Sequence, residues 1–328
     1  MTFLGGFLLE NRAPTKSIVE GAFLAAITAI LFIISIYIPL LGTLVSFLCP
    51  LPIIILYLRH SLKFTIISIF ISGILVSIIA GPLQGLMILL GFGILGVTLG
   101  YTIKKELSFN EIILLGSIAS LFSKVMIILI GIWLLDINLL IFDVEQIDKI
   151  VTQSLNFYQG IGLTGEQLDF LKESLTQTLN IFRIVFPAML ILASVFDVFI
   201  NYIVARVVLK RFGYNLPGFS SFSNWRASKS FFWSYLLGII SIFLGVKYNI
   251  PLLNKIGVNV QIFFTIVFFV CGLSLVNFLL ERYKIKSFLK WIIYIMICIQ
   301  PILSQIITWT GILDIWIDFR KLIEARVK

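Results

Sequence analysis

Residues 18–38 read IVEGAFLAAITAILFIISIYI, an unbroken apolar run whose one charged residue is Glu20. About 20 such residues is the length an α-helix needs to cross the hydrocarbon core of a bilayer. The run is too long for the apolar region of a secretory leader, and no small-residue cleavage pattern follows it. It therefore reads as a membrane span. Eight further runs of similar character occupy roughly 44–58, 63–80, 83–103, 111–135, 182–209, 230–247, 258–280 and 288–310. They lack the alternation, about 10 residues per strand, of a membrane barrel. Lipid demands that every backbone polar group be satisfied inside the protein. The pattern thus predicts an all-α fold, a polytopic transmembrane helical bundle of about nine spans. The second run is short and holds Pro50 and Pro52, which predicts a broken or tilted span.

Composition agrees. Hydrophobic residues make up 59% of the 328 positions and charged residues 12%. Mean hydropathy is +1.08. Soluble domains carry about 25% charged residues, so this chain lacks the polar shell that water requires. Its net charge of +9 suits anionic lipid headgroups at the cytoplasmic face rather than nucleic acid. The partner implied is the lipid bilayer. The cysteines Cys49, Cys271 and Cys298 sit in apolar runs without metal-ligand or C-x-x-C spacing, as small hydrophobes do. His60 is the only histidine, which by count excludes a catalytic triad or a zinc site built on histidines. Asp143, Glu145 and Asp148 depart from the calcium-loop spacing. No metal, cofactor or catalytic residue is expected.

Lysine and arginine in short loops set orientation. Arg12 and Lys16 precede the first span, Arg59 and Lys63 join the second and third, and Lys104 and Lys105 end the fourth. The connections 39–43 and 81–82 carry no basic residue. The N-terminus is therefore expected on the cytoplasmic side of the cell membrane. Trp133 and Trp309 then fall at outer span ends, and Trp233 and Trp291 at inner ends. Nine spans would put the C-terminus outside, yet it carries Arg320, Lys321, Arg326 and Lys328. Either the tail lies outside or one late segment does not cross. The last run is the suspect, because Pro301 interrupts it between Gln300 and Gln305.

Residues 136–181 form the one large non-membrane segment and read as an outer helical hairpin. Asp143 would cap a helix with apolar positions Val144, Ile147, Ile150, Val151, Leu155 and Tyr158. Gly160 and Gly162 end it. Thr164 with Gln167 makes a capping-box pattern ahead of the stripe Leu168, Leu171, Leu175, Leu179 and Phe182. Such a hairpin suits a lid over an outward pocket or a cap on helix ends. The tail from Ile312 reads as an interfacial amphipathic helix, with Asp314, Asp318, Lys321 and Ala325 on one face.

Charges inside spans carry the functional information. Lys124 lies near the middle of the fifth span and Asp197 near the middle of the sixth. A charge at the bilayer centre costs at least about 2.5–3.5 kcal/mol, so it faces protein or water and finds a partner. A hairpin joins these spans at similar depth, which predicts that Lys124 and Asp197 approach each other or share a polar cavity. Asn201 shares the face of Asp197, four residues on. These three are the candidate substrate or ion-coupling residues; a structural ion pair is the alternative. On the first span, Ala22/Ala26 and Ala25/Ala29 form small-residue strips suited to a partner helix. Gly91, Gly93 and Gly96 match G-x-G-x-x-G, but without a preceding strand they are no nucleotide site. Gly85, Gly93, Gly96 and Gly100 instead predict close helix approach.

Several local patterns resemble the YybS-like family of uncharacterised bacterial multi-pass membrane proteins. They are Ile18-Val19-Glu20-Gly21-Ala22 leading to Ile38-Pro39-Leu40, Pro50-Leu51-Pro52 with Arg59-His60, and Asp197 with Asn201-Tyr202 running to Leu209-Lys210-Arg211. The segments from Leu216-Pro217 to Trp225-Arg226 and from Gly311 through Asp314 to Asp318-Phe319-Arg320-Lys321 complete the resemblance, which runs over nearly the whole chain. The first six spans also look like the S components of energy-coupling-factor transporters, six-helix proteins that capture vitamins or metal ions from outside and dock on a coupling protein and two ATPases. That likeness implies a docking face at Ala22, Ala26 and Ala29. It also implies a small-molecule pocket at the outer hairpin and the outer half of 182–209. Three extra spans, a long fifth loop and the lack of recognisable vitamin-binding residues depart from that pattern.

The expected organisation is an S-component-like six-helix core over 1–210 that includes the hairpin 136–181. A cytoplasmic loop at 211–229, three further transmembrane helices over 230–310 and the tail at 311–328 follow. The leading expectation is a transport-related, substrate-binding membrane subunit without its own ATPase, since no P-loop is present. Alternatives are a membrane scaffold or assembly partner and, third, an intramembrane or lipid-modifying enzyme.

Overall fold

The apolar runs are helical in a computed structural model that describes residues 12–135 and 144–325. Helix α1 (Arg12–Tyr37) is the first span. The second run is broken where its prolines predict: α2 (Leu41–Ser46) ends in a turn, and α3 (Pro50–Arg59) restarts with proline at its first position, where the missing N–H costs nothing. Helix α4 (Leu62–Ala80) follows. The fourth span joins α5 (Pro82–Leu86), a π-helical segment (Met87–Gly93) and α6 (Ile94–Lys104). Helix α7 (Phe109–Leu135) is the fifth. Then come α8 (Val144–Gly160) and α9 (Glu166–Arg211). Helices α10 (Lys229–Lys247), α11 (Pro251–Arg282), α12 (Ser287–Ile299), α13 (Pro301–Ile317) and α14 (Phe319–Ala325) complete the chain. Eight helical stretches among the described residues are long and apolar enough to cross a membrane. The bent pair α12–α13 would make a ninth if it counted as one span.

The described helices are apolar outside and partly polar inside. Leu40, Trp133 and Ile78 are 93%, 83% and 77% exposed, while Thr28, Thr65, Ser72, Ser120 and Ser123 are buried. Several hydroxyls in the interior donate to backbone carbonyls, which meets their polarity within the contact. Ser68 and Ser72 of α4 reach the carbonyls of Gly21 and Ala25 on α1 at 3.1 and 3.0 Å. The glycines of the fourth span admit neighbours as expected. A Cβ at Gly96 would lie 2.8 Å from Ile53, one at Gly100 2.8 Å from Tyr57, and one at Gly93 2.8 Å from Ile69.

The chain divides into two compact units, Met1–Phe142 with Leu190–Gly218, and Asp143–Met189 with Phe219–Lys328. This cuts the chain differently from the expected 1–210 core. The second hairpin helix and the sixth span are one continuous helix, α9, of 46 residues. Its first half groups with the C-terminal helices, in part because Asn259 of α11 bonds to the backbone of Ile184 and Ala188.

The hairpin has the expected break. Helix α8 ends at Gly160, and Gly162 and Gly165 take φ values of +98° and +59° that favour glycine. The start of α9 differs from the capping-box expectation. The carbonyl of Gly165 accepts from Leu168 and Asp169 at 3.0 and 3.3 Å, so the left-handed glycine replaces Thr164 as the first anchor. Val151 is buried as the stripe requires. The Asp143 cap and the positions Val144, Ile147 and Ile150 lie outside the described side chains.

In the second unit, α12 and α13 meet at 100° about Pro301. Helix α12 starts five residues after Arg282, the end of α11. After α13 the chain returns to that end, where Arg282 Nη2 donates to the carbonyl of Ile323 at 3.0 Å. The bend is that of a broken span or of a re-entrant loop, and the helix that follows it, α14, comes back to the end of α11. On the way back α13 crosses the middle of α11. A Cβ at Gly272 would lie 2.0 Å from the Ile307 carbonyl, and one at Gly311 2.1 Å from that of Phe268. Trp309, expected at an outer span end, sits beside this mid-helix crossing. The tail is also corrected. Asp314 belongs to α13 and is buried in an ion pair with Arg320 at 2.9 Å, not spread on an interfacial face. Asp318, at φ 48°, breaks the helix between them.

Candidate functional site

The intramembrane charges meet. Helix α7 runs past the second half of α9, where Gly116 leaves room: a Cβ there would sit 2.6 Å from Val198. One turn further along α7, Ser120 and Lys124 share a face at i, i+4 spacing. Lys124 Nζ lies 2.9 Å from Asp197 Oδ2 and 2.6 Å from Ser120 Oγ. Ser120 Oγ donates to the same carboxylate oxygen at 2.9 Å. The other oxygen, Oδ1, accepts from Asn201 Nδ2 at 2.9 Å, and that amide also donates to the Asp197 carbonyl at 2.8 Å. Asp197 is thereby held by a cation, a hydroxyl and an amide from two helices. The Lys124 and Asp197 side chains keep 28% and 26% exposure, so the pair lies at the margin of the helix contact.

The surroundings retain unused hydrogen-bonding capacity. Asn201 is 2% exposed, and its Oδ1 has no partner among the described residues. The Oγ of Ser117, one turn before Ser120, is likewise buried and unpartnered there. On the adjoining side Ser123 Oγ donates to the carbonyl of Leu90, inside the π-helical segment. π-bulges in helices frequently mark functional positions. A buried acceptor left unmet costs about 1–3 kcal/mol. The arrangement can therefore hold a proton, a water or a small polar group beside a fixed ion pair. Among the described residues no group of three or more His, Cys, Asp or Glu side chains is placed to hold a metal ion.

The docking strip on α1 is divided by the fold. Ala22 is exposed and Ala26 half-exposed, but Ala29 is 4% exposed and packs with Phe32, Cys49, Val76 and Ile88. Ala29 is thus unavailable to a partner. The rotation of α1 that brings Gly21 and Ala25 against Ser68 and Ser72 turns Ala29 inward too. The open face, with Val19 and Phe23 exposed, borders a shallow recess of about 620 Å³ lined by Thr15, Lys16, Val19, Glu20 and Phe23. Lys124, Asp197 and Asn201 do not line it.

Three clusters went unseen in the sequence. At the basic end of the first unit, His60 Nε2 lies 2.8 Å from Glu20 Oε2, and Nδ1 lies 2.9 Å from Ser17 Oγ. One histidine suffices for a Ser–His–carboxylate chain, so counting histidines does not exclude that arrangement. Here, however, Arg59 also holds the Glu20 carboxylate, and Ser17 is 8% exposed and does not line the recess. The cluster fastens the start of α1 to the α3–α4 turn. The signal was available in Glu20, the lone charge of the opening run. In the second unit, Arg320 reaches Asp314, Ser274 Oγ and the Trp225 carbonyl. Glu281 accepts from Ser223 and Asn277, and Tyr294 donates to Asn277 at 2.7 Å. Both clusters pin residues 222–225 against α11.

Comparison with known proteins matches residues 26–315 to the family described as "Predicted membrane protein (DUF2232)". The chain is 26% identical over 318 residues to "Uncharacterized protein YybS" of Bacillus subtilis (strain 168), covering 93% of this chain and 98% of that one. No solved structure matches.

Proposed function

Because the chain belongs to the DUF2232 family of predicted membrane proteins, and is itself a multi-pass helical membrane protein, we propose that it is a transport-related, substrate-binding subunit without an ATPase of its own. Lys124, Asp197 and Asn201 form its substrate or ion-coupling site. One observation carries the proposal: Asn201 Oδ1, one turn from Asp197, and Ser117 Oγ, one turn from Ser120, stand buried with no partner among the described residues. An ion pair serving only to fix helix packing needs no spare acceptors, and each is costly in lipid. The N-terminus is cytoplasmic, the ligand arrives from the outer side, and energy comes from a partner module of coupling protein and ATPases. Ala22 and Ala26 remain as its docking contacts on α1.

The test is thermal stability of the purified full-length protein in lipid nanodiscs against separate panels of vitamins, amino acids and mono- and divalent ions. A ligand present at 100 times its Kd stabilises by about 2.7 kcal/mol. A positive compound should lose its effect on Asn201→Leu. No shift with any compound, together with purification from native membranes without a coupling module, would remove the transport reading. A scaffold is the second reading. It is favoured by the fixed backbone at 222–225, whose carbonyls are held by Ser274 and Arg320.

A further inference from the structure

Helix α9 carries Pro187 in its interior. A proline there lacks the N–H that would close its turn, and its ring presses on the carbonyl four residues back. Sharp bends in helices arise at such prolines and where a side chain inserts into the ladder of backbone bonds. In α9 both causes coincide. The Asn259 side chain of α11 accepts from the Ala188 N–H through Oδ1 at 2.8 Å. Its Nδ2 donates to the Ile184 carbonyl at 2.7 Å. Residues 184 and 188 are the i−4 and i partners that a regular turn joins to each other. The carboxamide, with one donor side and one acceptor side, bridges them. The second hydrogen of Nδ2 goes to the Lys255 carbonyl at 2.8 Å, so its own helix sets the orientation of the amide. Ala188 is 1% exposed, which shields the bridge from competing solvent.

The position of this bridge is the second observation. The chain passes from one compact unit to the other between Met189 and Leu190, immediately after it. Asp197 and Asn201 lie on the same helix beyond that point. We propose that residues 184–190 are a hinge in α9 and that Asn259 is the latch that holds it in one setting. With the amide in place, the Ile184 carbonyl and Ala188 N–H, one residue beyond the Arg183–Pro187 pair that lacks its hydrogen bond, are held by a second helix and the weakened turn is fixed. With the amide withdrawn, the Ile184 carbonyl and Ala188 N–H lose their shared partner and the helix bends at the proline. An aspartate at 259 would keep the acceptor and lose the donor; a leucine would lose both. The hinge does not depend on what the Lys124–Asp197 site binds.

The experiment uses the full chain in lipid nanodiscs, with Cys49 and Cys271 changed to Ala and Cys298 to Ser. Spin labels are placed at Gln177 and Val207, exposed positions on either side of the hinge. Pulsed electron–electron resonance then gives the width of their distance distribution. That width should at least double on Asn259→Leu. It should return to the parent value in Pro187→Ala/Asn259→Leu, because alanine gives the Arg183 carbonyl its donor and removes the ring that presses on this turn, so that the 184–188 bond can also close. An unchanged width on Asn259→Leu overturns the latch. A double variant as broad as the single one overturns the role of Pro187. Should Asn259→Leu fail to accumulate as folded protein, Asn259→Asp is compared instead, and there too an unchanged width refutes the latch.

Discussion

Asp197 and Lys124 each carry a charge that lipid would expel, and each is tolerable because the other is 2.9 Å away. Asp197→Asn leaves the ammonium without its counter-charge, and Lys124→Met leaves the carboxylate without its own. Breaking a fully buried pair costs about 3–5 kcal/mol; the partial exposure here lowers the expectation to about 1–3 kcal/mol for each single change. The double change removes both charges and should cost less than the sum, by about 1–2 kcal/mol of coupling. Denaturant unfolding in mixed micelles measures this, and costs that simply add would show the pair is not coupled. The alanines of α1 give a second residue-scale contrast. Ala29→Leu forces a larger side chain against Phe32 and Val76 and should destabilise by about 1–3 kcal/mol. Ala22→Leu, on the open face, should leave the melting temperature unchanged, so any loss of partner binding from it reports docking and not misfolding. Equal melting shifts for the two variants would contradict the assigned rotation of α1. The ion pair was legible in the sequence because charges inside an apolar run are rare and must be paired. Ser117, Ser120 and Ser123 were not, because a serine can satisfy its hydroxyl within its own helix and so leaves no pattern. The alanine strip offered two faces, 22/26 and 25/29, and only the serines of α4 decide between them.

Among elements, the clearest departure from the sequence reading is at 311–325, where an expected interfacial helix becomes the end of α13, a left-handed break and a short closing helix. Amphipathic spacing located the polar residues but not their partners, because Arg226, Trp225 and Ser274 are distant in sequence. Asp318 carries a consequence in pH. The Arg226 guanidinium, 2.6 Å away, holds its carboxyl well below the usual carboxylate range, with Lys321 assisting. A carboxylate whose pKa is lowered by folding contributes stability that is present above its unfolded value of about 3.8. That contribution is lost only as pH falls below this value toward the folded one. The clasp between residues 226 and 318 should therefore persist at pH 4.5 as at pH 7. Arg226→Ala should free the tail at both. Limited proteolysis after Lys321 at pH 7 and hydrogen exchange of 318–323 at both values check this, and a tail that loosens in the wild type at pH 4.5 would contradict it.

At the scale of the whole molecule the sequence left one contradiction, a basic C-terminus on the outer face of nine spans. The bent pair would resolve it if it is a re-entrant loop and not one broken span. Helix α12 starts beside the end of α11, α13 crosses its middle with Gly311 against Phe268, and α14 returns to its end, where Arg282 holds Ile323. If the pair does not cross, eight candidate spans remain among the described residues, and an even number would return the C-terminus to the side of the N-terminus. On that topology the basic tail would share a side with the other loop cations, as the excess of lysine and arginine in cytoplasmic segments predicts. Hydropathy alone does not reach this result. It registers that 287–317 is apolar, and a re-entrant segment is as apolar as a span. The division into two units was also hidden, because the boundary falls inside α9 and no loop marks it. Topology follows from single cysteines placed in a cysteine-free background at Lys105, Gln177 and Lys321 in intact cells. An impermeant maleimide should label the Gln177 position from outside at once. It should label the Lys105 and Lys321 positions only after the membrane is opened. Immediate labelling at Lys321 with protection at Lys105 would restore nine crossings and refute the re-entrant pair, whereas labelling at Lys105 would invert the orientation and refute the cytoplasmic N-terminus.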